Sequence, residues 1–139
     1  MSSFIRSYKI RFEDCDMAGI VFYPQYVLML HRIVEDWFAE ALDMPMSIMH
    51  RQHKIGFPTV NLKVDFRKAS RLDEVLEWSL EVRRLKTRSA TLGICACYRD
   101  ERRLEAEITI VSVDLVDGDI SSREIPHGIR AGMEAYLYA

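Results

Sequence analysis

Two acidic residues stand just before the start of a predicted helix, in an arrangement that can do chemistry. Asp14 and Asp16 lie in the run Phe-Glu-Asp-Cys-Asp-Met-Ala-Gly-Ile-Val-Phe-Tyr, which ends directly before Pro24. The first turn of a helix carries unpaired N–H groups and a partial positive charge, which can polarise a carbonyl oxygen. A nearby carboxylate can then attack the carbonyl carbon. The pattern therefore indicates a reaction at a carbonyl group.

The residue types alone leave other interpretations of Asp14 and Asp16 open. Two acids in a loop can be solvated or can cap a helix, and this is the commoner role of an isolated Asp-x-Asp. An Asp-x-Asp after a strand also resembles the aspartyl nucleophile of phosphatases. That chemistry is built on a parallel doubly wound sheet with Mg²⁺, whereas here antiparallel strands follow the helix without a second acidic cluster. The phosphatase hypothesis is therefore disfavoured.

Periodic patterns predict the elements that position these residues. Apolar residues alternate with polar ones over 4–12, which is typical of a half-buried strand. From Pro24 to Ala41, apolar residues recur every three or four positions and predict a helix of about five turns. Most of its circumference is apolar, so other elements must wrap it.

The second half of the chain changes to a period of two. Four strands are predicted on residues 57–66, 76–82, 90–98 and 104–110, and polar turns between them favour antiparallel pairing. A short edge strand over 120–125 and a helix over 126–138 complete the expectation. We therefore predict an α+β fold, one curved antiparallel sheet wrapped round one long helix, forming a single domain over residues 1–139.

Composition narrows the class of protein. The chain has 139 residues, of which 49% are hydrophobic and 29% charged, with a net charge of −2. This balance disfavours disorder and a nucleic-acid-binding role. Neither a signal peptide nor an apolar run long enough to cross a membrane is found, and the three cysteines fit a reducing compartment, so a cytoplasmic protein is expected.

Cys95 and Cys97 can suggest a metal site. A strand would present these two thiols on one face without a second pair of ligands nearby, so packed thiols and no metal site are expected.

Two further segments join the acidic run in resembling a known family. The run from Phe12 to Tyr26 is similar to the signature of hot-dog-fold acyl-CoA thioesterases of the 4-hydroxybenzoyl-CoA thioesterase type. The segment over 69–76 and the segment over 86–89 resemble the family's later landmarks, in the same order. The resemblance implies an enzyme that needs no cofactor and hydrolyses an aromatic, hydroxybenzoyl-like CoA thioester to free acid and CoA. A short-chain aliphatic acyl-CoA thioesterase and a non-catalytic acyl-CoA-binding module are the alternatives.

The same resemblance implies roles for individual residues at the acidic run. Asp16 is the implied catalytic carboxylate, as nucleophile or as general base towards water, and Asp14 is a neighbour without an assigned role. The backbone N–H of Tyr23 is implied to donate a hydrogen bond to the thioester oxygen. Gly19 either allows a tight turn before the helix or is simply a loop glycine.

Substrate binding and assembly are implied as well. Lys86, Arg88 and Ser89 are candidate contacts for CoA phosphates, including those of a CoA whose thioester lies in a neighbouring subunit; the alternative is a solvated hairpin. A homotetramer is expected, in which neighbouring subunits cover residues such as Val111 and Val113.

The sequence departs from the closest family pattern at two positions. Met17 replaces a proline. His31 replaces an acid that binds the phenol group of 4-hydroxybenzoyl substrates. His31 either packs at the edge of the core or faces the acyl group.

Overall fold

The computed structural model describes residues 2–116 and 118–138. Within these ranges, the architecture consists of three helices and eight strands, with a 3₁₀ turn at Phe12–Asp14. In chain order, the elements are β1 (Phe4–Lys9), α1 (Tyr23–Glu40), α2 (Met46–Arg51), β2 (Ile55–Gly56), β3 (Thr59–Phe66), β4 (Val75–Leu85), β5 (Ser89–Tyr98), β6 (Glu101–Val111), β7 (Val113–Val116), β8 (Asp119–Ser122) and α3 (His127–Glu134).

Five strands form the main sheet in the order β1-β4-β5-β6-β3, and every neighbouring pair is antiparallel. Helix α1 packs against one face of this sheet. Its Trp37 and Phe38 are fully buried, as is Trp78 on β4, and they belong to one continuous core. Burial on this scale stabilises the wrapped helix more than intrinsic helix propensity can. The predicted α+β architecture is therefore confirmed.

The boundaries differ from expectation at both ends of the chain. Strand β1 stops at Lys9 because Phe12–Asp14 form the 3₁₀ turn, which leaves Phe12 exposed. The last helix, α3, is shorter than predicted because the chain turns back to the main sheet: the Val82 N–H donates to the Tyr136 carbonyl, and the Tyr138 N–H donates to the Val82 carbonyl. No helix within residues 2–116 and 118–138 combines the length and apolarity needed to cross a bilayer.

Two features of burial differ from what the strand pattern alone suggests. Among the described strands β3 pairs with β6 alone, and its Val60, Leu62 and Phe66 are exposed. Val113 was expected to be covered by a neighbouring subunit. It is already buried within its own chain, where β7 pairs with β2 and β8 in a second sheet. Alternation identifies a strand but not its neighbours.

Candidate active site

The acidic loop, residues 10–22, joins β1 to α1 and is fixed at both ends by one other segment. That segment, residues 70–74, is named the bracing loop. At one end, the Ile10 N–H donates to the Glu74 carbonyl, 2.8 Å, and the Asp73 N–H donates to the Ile10 carbonyl, 3.0 Å. At the other end, the Val21 N–H donates to the Ser70 carbonyl, 2.9 Å. The loop is therefore anchored at its ends by backbone hydrogen bonds.

Asp14 uses its polar groups to build this loop. Its carboxylate Oδ2 accepts from the Arg11 N–H, 2.8 Å, and so caps the 3₁₀ turn. Its carbonyl accepts from the Phe22 N–H, 2.9 Å, and this bond joins the loop to the residue before α1. The cap interpretation left open by the sequence is thus the one observed for Asp14.

Asp16 is held differently and keeps part of its carboxylate available. Its Oδ1 accepts from the Ala18 N–H, 2.9 Å, and its carbonyl accepts from the Gly19 N–H, 3.0 Å. The side chain is exposed, and Oδ2 takes part in no hydrogen bond within the described part of the chain. Gly19 has φ +77°, a left-handed conformation that favours glycine, so of the two roles left open for this residue the tight turn is the one observed.

The start of α1 leaves a backbone donor free. The Phe22 N–H is used by Asp14, Pro24 has no N–H, and the Gln25 N–H donates to the Phe22 carbonyl, 2.8 Å. The Tyr23 N–H enters no hydrogen bond among the described residues. A free N–H at the positive end of a helix is a suitable donor to a developing oxyanion.

The thiol between the two acids stays protonated. Burial, with added repulsion from the Asp14 and Asp16 charges, raises the pKa of Cys15. Its Sγ donates to the Arg11 carbonyl at 3.6 Å. Because the thiolate is the nucleophilic form of cysteine, Cys15 is a poor candidate for the attacking group.

Aromatic rings cover the surface beside the helix start. Tyr23 lies 6.3 Å from Phe66 between ring centroids and 5.6 Å from Phe22, while the buried Tyr26 lies 5.7 Å from Phe66. Phe22, Tyr23 and Phe66 are exposed. Phe66 was not among the predicted site residues, because the alternation that predicts its strand does not show which face of the strand stays uncovered. These rings form an apolar surface of the kind that binds an aromatic group.

His31 does not share the buried face of α1. Its side chain is 67% exposed, and its Nε2 lies 3.2 Å from Oε1 of Glu35, one turn further along. Val34 and Phe38 are buried, whereas His31 lies beyond the edge of their stripe. The packing alternative for His31 is therefore wrong, and its contact with substrate stays a prediction.

The basic turn, residues 86–89, lies at the other end of β4. Strand β4 runs from Val75 to Leu85, which at about 3.3 Å per residue separates the turn from the bracing loop by roughly 30 Å. Within one chain, the structure therefore does not bring Lys86, Arg88 or Ser89 to Asp16.

Contacts within the basic turn differ from residue to residue. Arg88 Nη1 donates to the Ser122 carbonyl, 3.0 Å, so part of its charge is engaged. The Ser89 carbonyl accepts from the Lys86 N–H, 2.8 Å, whereas the Lys86 ammonium forms no ion pair among the described residues. An adjoining cleft of about 390 Å³ is lined by Thr87, Arg123, Glu124, Ile125, Pro126, His127 and Arg130.

The two strand cysteines lie side by side on β5, as expected. Their Sγ atoms are 3.8 Å apart, and both residues are half-buried. Burial and the neighbouring Cys97 raise the pKa of Cys95 to about 11. Within 2–116 and 118–138, no three His, Cys, Asp or Glu side chains come together in a way that could hold a metal ion.

Comparison with solved structures gives close matches in fold. The dynemicin thioesterase superposes with a TM-score of 0.89 at 14% identity, covering 99% of each chain. A gentisyl-coenzyme A thioesterase superposes with a TM-score of 0.83 at 24% sequence identity, and the match covers 94% of this chain and 99% of the other. A 1,4-dihydroxy-2-naphthoyl-CoA thioesterase from Synechocystis superposes with a TM-score of 0.85 at 16% identity, and the match covers 95% of this chain and 96% of the other. The fold is thus the hot-dog fold.

Sequence comparison identifies the family. A search of curated proteins gave no match. Residues 18–106, well over half of the chain, match the family described as the thioesterase superfamily. The match includes the turn at Gly19, the start of α1 and the whole bracing loop. The protein therefore belongs to the thioesterase superfamily, and its reaction is thioester hydrolysis.

Proposed function

We propose that the protein is a cytoplasmic hydrolase of aromatic acyl-CoA thioesters, of the 4-hydroxybenzoyl-CoA thioesterase type. Two observations at the junction of the acidic loop and α1 carry the proposal together: the Tyr23 N–H at the helix start and Oδ2 of the exposed Asp16 form no hydrogen bond among the described residues. The Tyr23 N–H donates a hydrogen bond to the thioester oxygen while Asp16 attacks the carbonyl carbon, or removes a proton from a water that attacks it, and the C–S bond breaks to release the CoA thiolate. A preorganised donor of this kind lowers the barrier by roughly 3 kcal/mol.

The aromatic acyl group is assigned to the surface formed by Phe22, Tyr23 and Phe66. Planar rings stack or pack edge to face with such side chains, and each pair contributes about 1 kcal/mol beyond its buried area. Two of the thioesterases of similar fold are named for aromatic acyl groups, gentisyl and 1,4-dihydroxy-2-naphthoyl. A short-chain aliphatic substrate would gain less from these rings, and a binding module would have no use for Asp16.

The CoA phosphates are assigned to Lys86, Arg88 and Ser89, with Arg123 and Arg130 as additional candidates from the adjoining cleft. The separation of roughly 30 Å along β4 favours a CoA bound by the basic turn of one subunit and cleaved beside Asp16 of another. This assignment requires an oligomer, for which we propose a homotetramer. Sedimentation at micromolar concentration tests it, and a mass of one chain would contradict it.

The experiment that tests the function is a panel of aryl and aliphatic acyl-CoAs assayed with a thiol reagent. Release of CoA with the highest kcat/KM on aryl substrates is expected. A preference for short aliphatic substrates would favour that alternative. Tight binding of acyl-CoA without thiol release from any substrate would establish the binding-module alternative instead.

A further inference from the structure

One buried cation, Arg103 on β6, has no part in the proposed chemistry. It is 6% exposed and is the only fully buried charged residue within 2–116 and 118–138. A buried guanidinium is strongly destabilising unless its N–H groups are paired. Its partners therefore show what it is there to hold.

The partners of Arg103 lie mainly in and next to the bracing loop. Nη1 donates to Oε1 of Glu74, 2.8 Å, and Nη2 to Oε2 of the same carboxylate, 3.2 Å, which is a two-pronged ion pair. Nη1 also donates to the Ala69 carbonyl, 3.0 Å, and lies 3.2 Å from the Ser70 hydroxyl. Nε donates to Glu101, 2.6 Å.

Glu74 carries this contact into the backbone of the bracing loop. Its Oε1 also accepts from the Arg71 N–H, 2.7 Å, which closes the loop on itself. The hydrogen bond from Arg103 lowers the pKa of Glu74, so the carboxylate remains ionised in neutral solution. The loop is thus cross-linked by one buried cation and one anion.

The bracing loop in turn fixes both ends of the acidic loop. The Ser70 carbonyl accepts the Val21 N–H, Arg71 pairs with Ile20 as an isolated bridge, and the Glu74 carbonyl accepts the Ile10 N–H. Asp16 lies between these two anchors, and its own N–H donates to the Ile20 carbonyl, 2.9 Å. A continuous chain of contacts therefore runs from Arg103 through residues 69–74 to Asp16.

We propose that Arg103 is a positioning residue for Asp16, acting through Glu74 and the bracing loop. The inference rests on the proposed role of Asp16. Movement of the loop anchors by a fraction of an ångström misaligns the carboxylate with the thioester carbon, and misplacement of about 1 Å can reduce a rate a hundredfold. Lysine keeps the charge but cannot reproduce the planar two-pronged contact.

The test compares kcat and KM in folded variants, with Arg102→Met as the matched control. Arg102 is the neighbour on β6, exposed and paired with Glu105, and its replacement removes the same charge outside the bracing contacts. Arg103→Met is expected to lower kcat at least tenfold while KM changes less than threefold. Arg103→Lys is expected to recover part of this loss of kcat. Arg102→Met is expected to have the kcat and KM of wild type. If Arg103→Met does not fold, Glu74→Gln provides the same comparison, because it keeps the side chain's shape and loses the charge.

A double variant separates positioning from loss of stability. Asp16→Asn with Arg103→Met is expected to be no slower than Asp16→Asn alone, because the positioned group is already disabled. Two results would overturn the inference and leave the proposed function intact. One is a further loss of kcat in the double variant equal to the loss in Arg103→Met alone. The other is wild-type kcat in both folded Arg103→Met and folded Glu74→Gln. Wild-type kcat in Asp16→Asn overturns the proposed function itself.

Discussion

The acidic loop and the basic turn are built in opposite ways. The acidic loop is anchored by backbone hydrogen bonds at Ile10 and Val21, and the loop that braces it is cross-linked by the buried pair of Arg103 and Glu74. The basic turn presents exposed charge, of which the Lys86 ammonium is engaged by no described residue. Rigid placement suits bond breaking, whereas exposed cations suit attraction of phosphates. Changes in the first region are therefore expected in kcat, and changes in the second in KM.

The largest expected effect comes from the helix start. Tyr23→Pro removes the proposed oxyanion donor and should lower kcat by about a hundredfold or more. The substitution fits the backbone because Phe22 is extended, with φ −72° and ψ 124°, and the first helical position accepts proline. Tyr23→Ala is the control: it also loses the ring but keeps the N–H, so it should raise KM for aryl substrates and retain most of kcat. Equal kcat in both variants would remove the N–H from the mechanism.

Charge reversal at the basic turn should act on binding. Lys86→Glu combined with Arg88→Glu is expected to raise KM by about tenfold while kcat at saturation stays near wild type. Added salt should weaken binding by wild type and have less effect on the variant, since screening acts on exposed charges. Lys63→Glu, on the exposed edge strand β3, makes the same kind of charge change elsewhere and should leave KM unaltered. Unchanged KM in the double variant would reject the phosphate assignment.

A matched pair of glycines tests the shape of the acidic loop. Gly19 has φ +77° and Gly118 has φ +81°, and a Cβ at either position would meet no atom within 4 Å. Alanine at each should therefore lower the free energy of unfolding by a similar amount, about 1 kcal/mol, from backbone strain alone. Only Gly19→Ala should also lower kcat, by roughly fivefold, because it shifts the turn that holds Asp16. Equal kcat in both folded variants would show that this turn does not control the reaction.

His31 is expected to tune substrate choice by a few-fold only, because it lies on the exposed side of α1 beside Glu35. His31→Asp restores the acid type of the family pattern and should shift kcat/KM towards 4-hydroxybenzoyl-CoA relative to benzoyl-CoA. Glu35→Gln, which removes the carboxylate beside His31, serves as the control. Identical substrate ranking in wild type and His31→Asp would exclude a role in acyl recognition.

The smallest expected effect is on the stability of the fold in acid. Arg103 lowers the pKa of Glu74 in the folded protein. At pH values above the pKa of this carboxyl in the unfolded chain, about 4.3, the ion pair therefore makes its full contribution to stability. Its contribution is lost as pH falls through the lowered folded pKa. Urea unfolding at stepwise lower pH should show a smaller acid-induced loss in Glu74→Gln than in wild type. The same slope in both proteins would show that Glu74 is not a source of acid sensitivity.

Local patterns predicted the elements well and their surroundings less well. The helix from residue 23, the run of antiparallel strands and the tight turn at Gly19 follow from periodicity and turn chemistry in neighbouring residues. The exposure of Phe66 and the burial of Val113 depend on which strands become neighbours, and alternation carries no information on that. Arg103 directly follows a polar turn and nothing in the neighbouring sequence marks it as buried, so its contact with Glu74, 29 residues earlier, could not be predicted before the fold was known.

The most direct test of the account compares the two acids of one loop. Asp14→Asn and Asp16→Asn make the same chemical change two residues apart, and kcat is measured on the best acyl-CoA after circular dichroism and oligomer mass confirm folding. Asp16→Asn should lower kcat by at least about a hundredfold while substrate still binds, because the negative charge and the nucleophilic oxygen are lost. Asp14→Asn should lower kcat far less, since its carboxylate only caps a turn. Near wild-type kcat in folded Asp16→Asn would contradict the account.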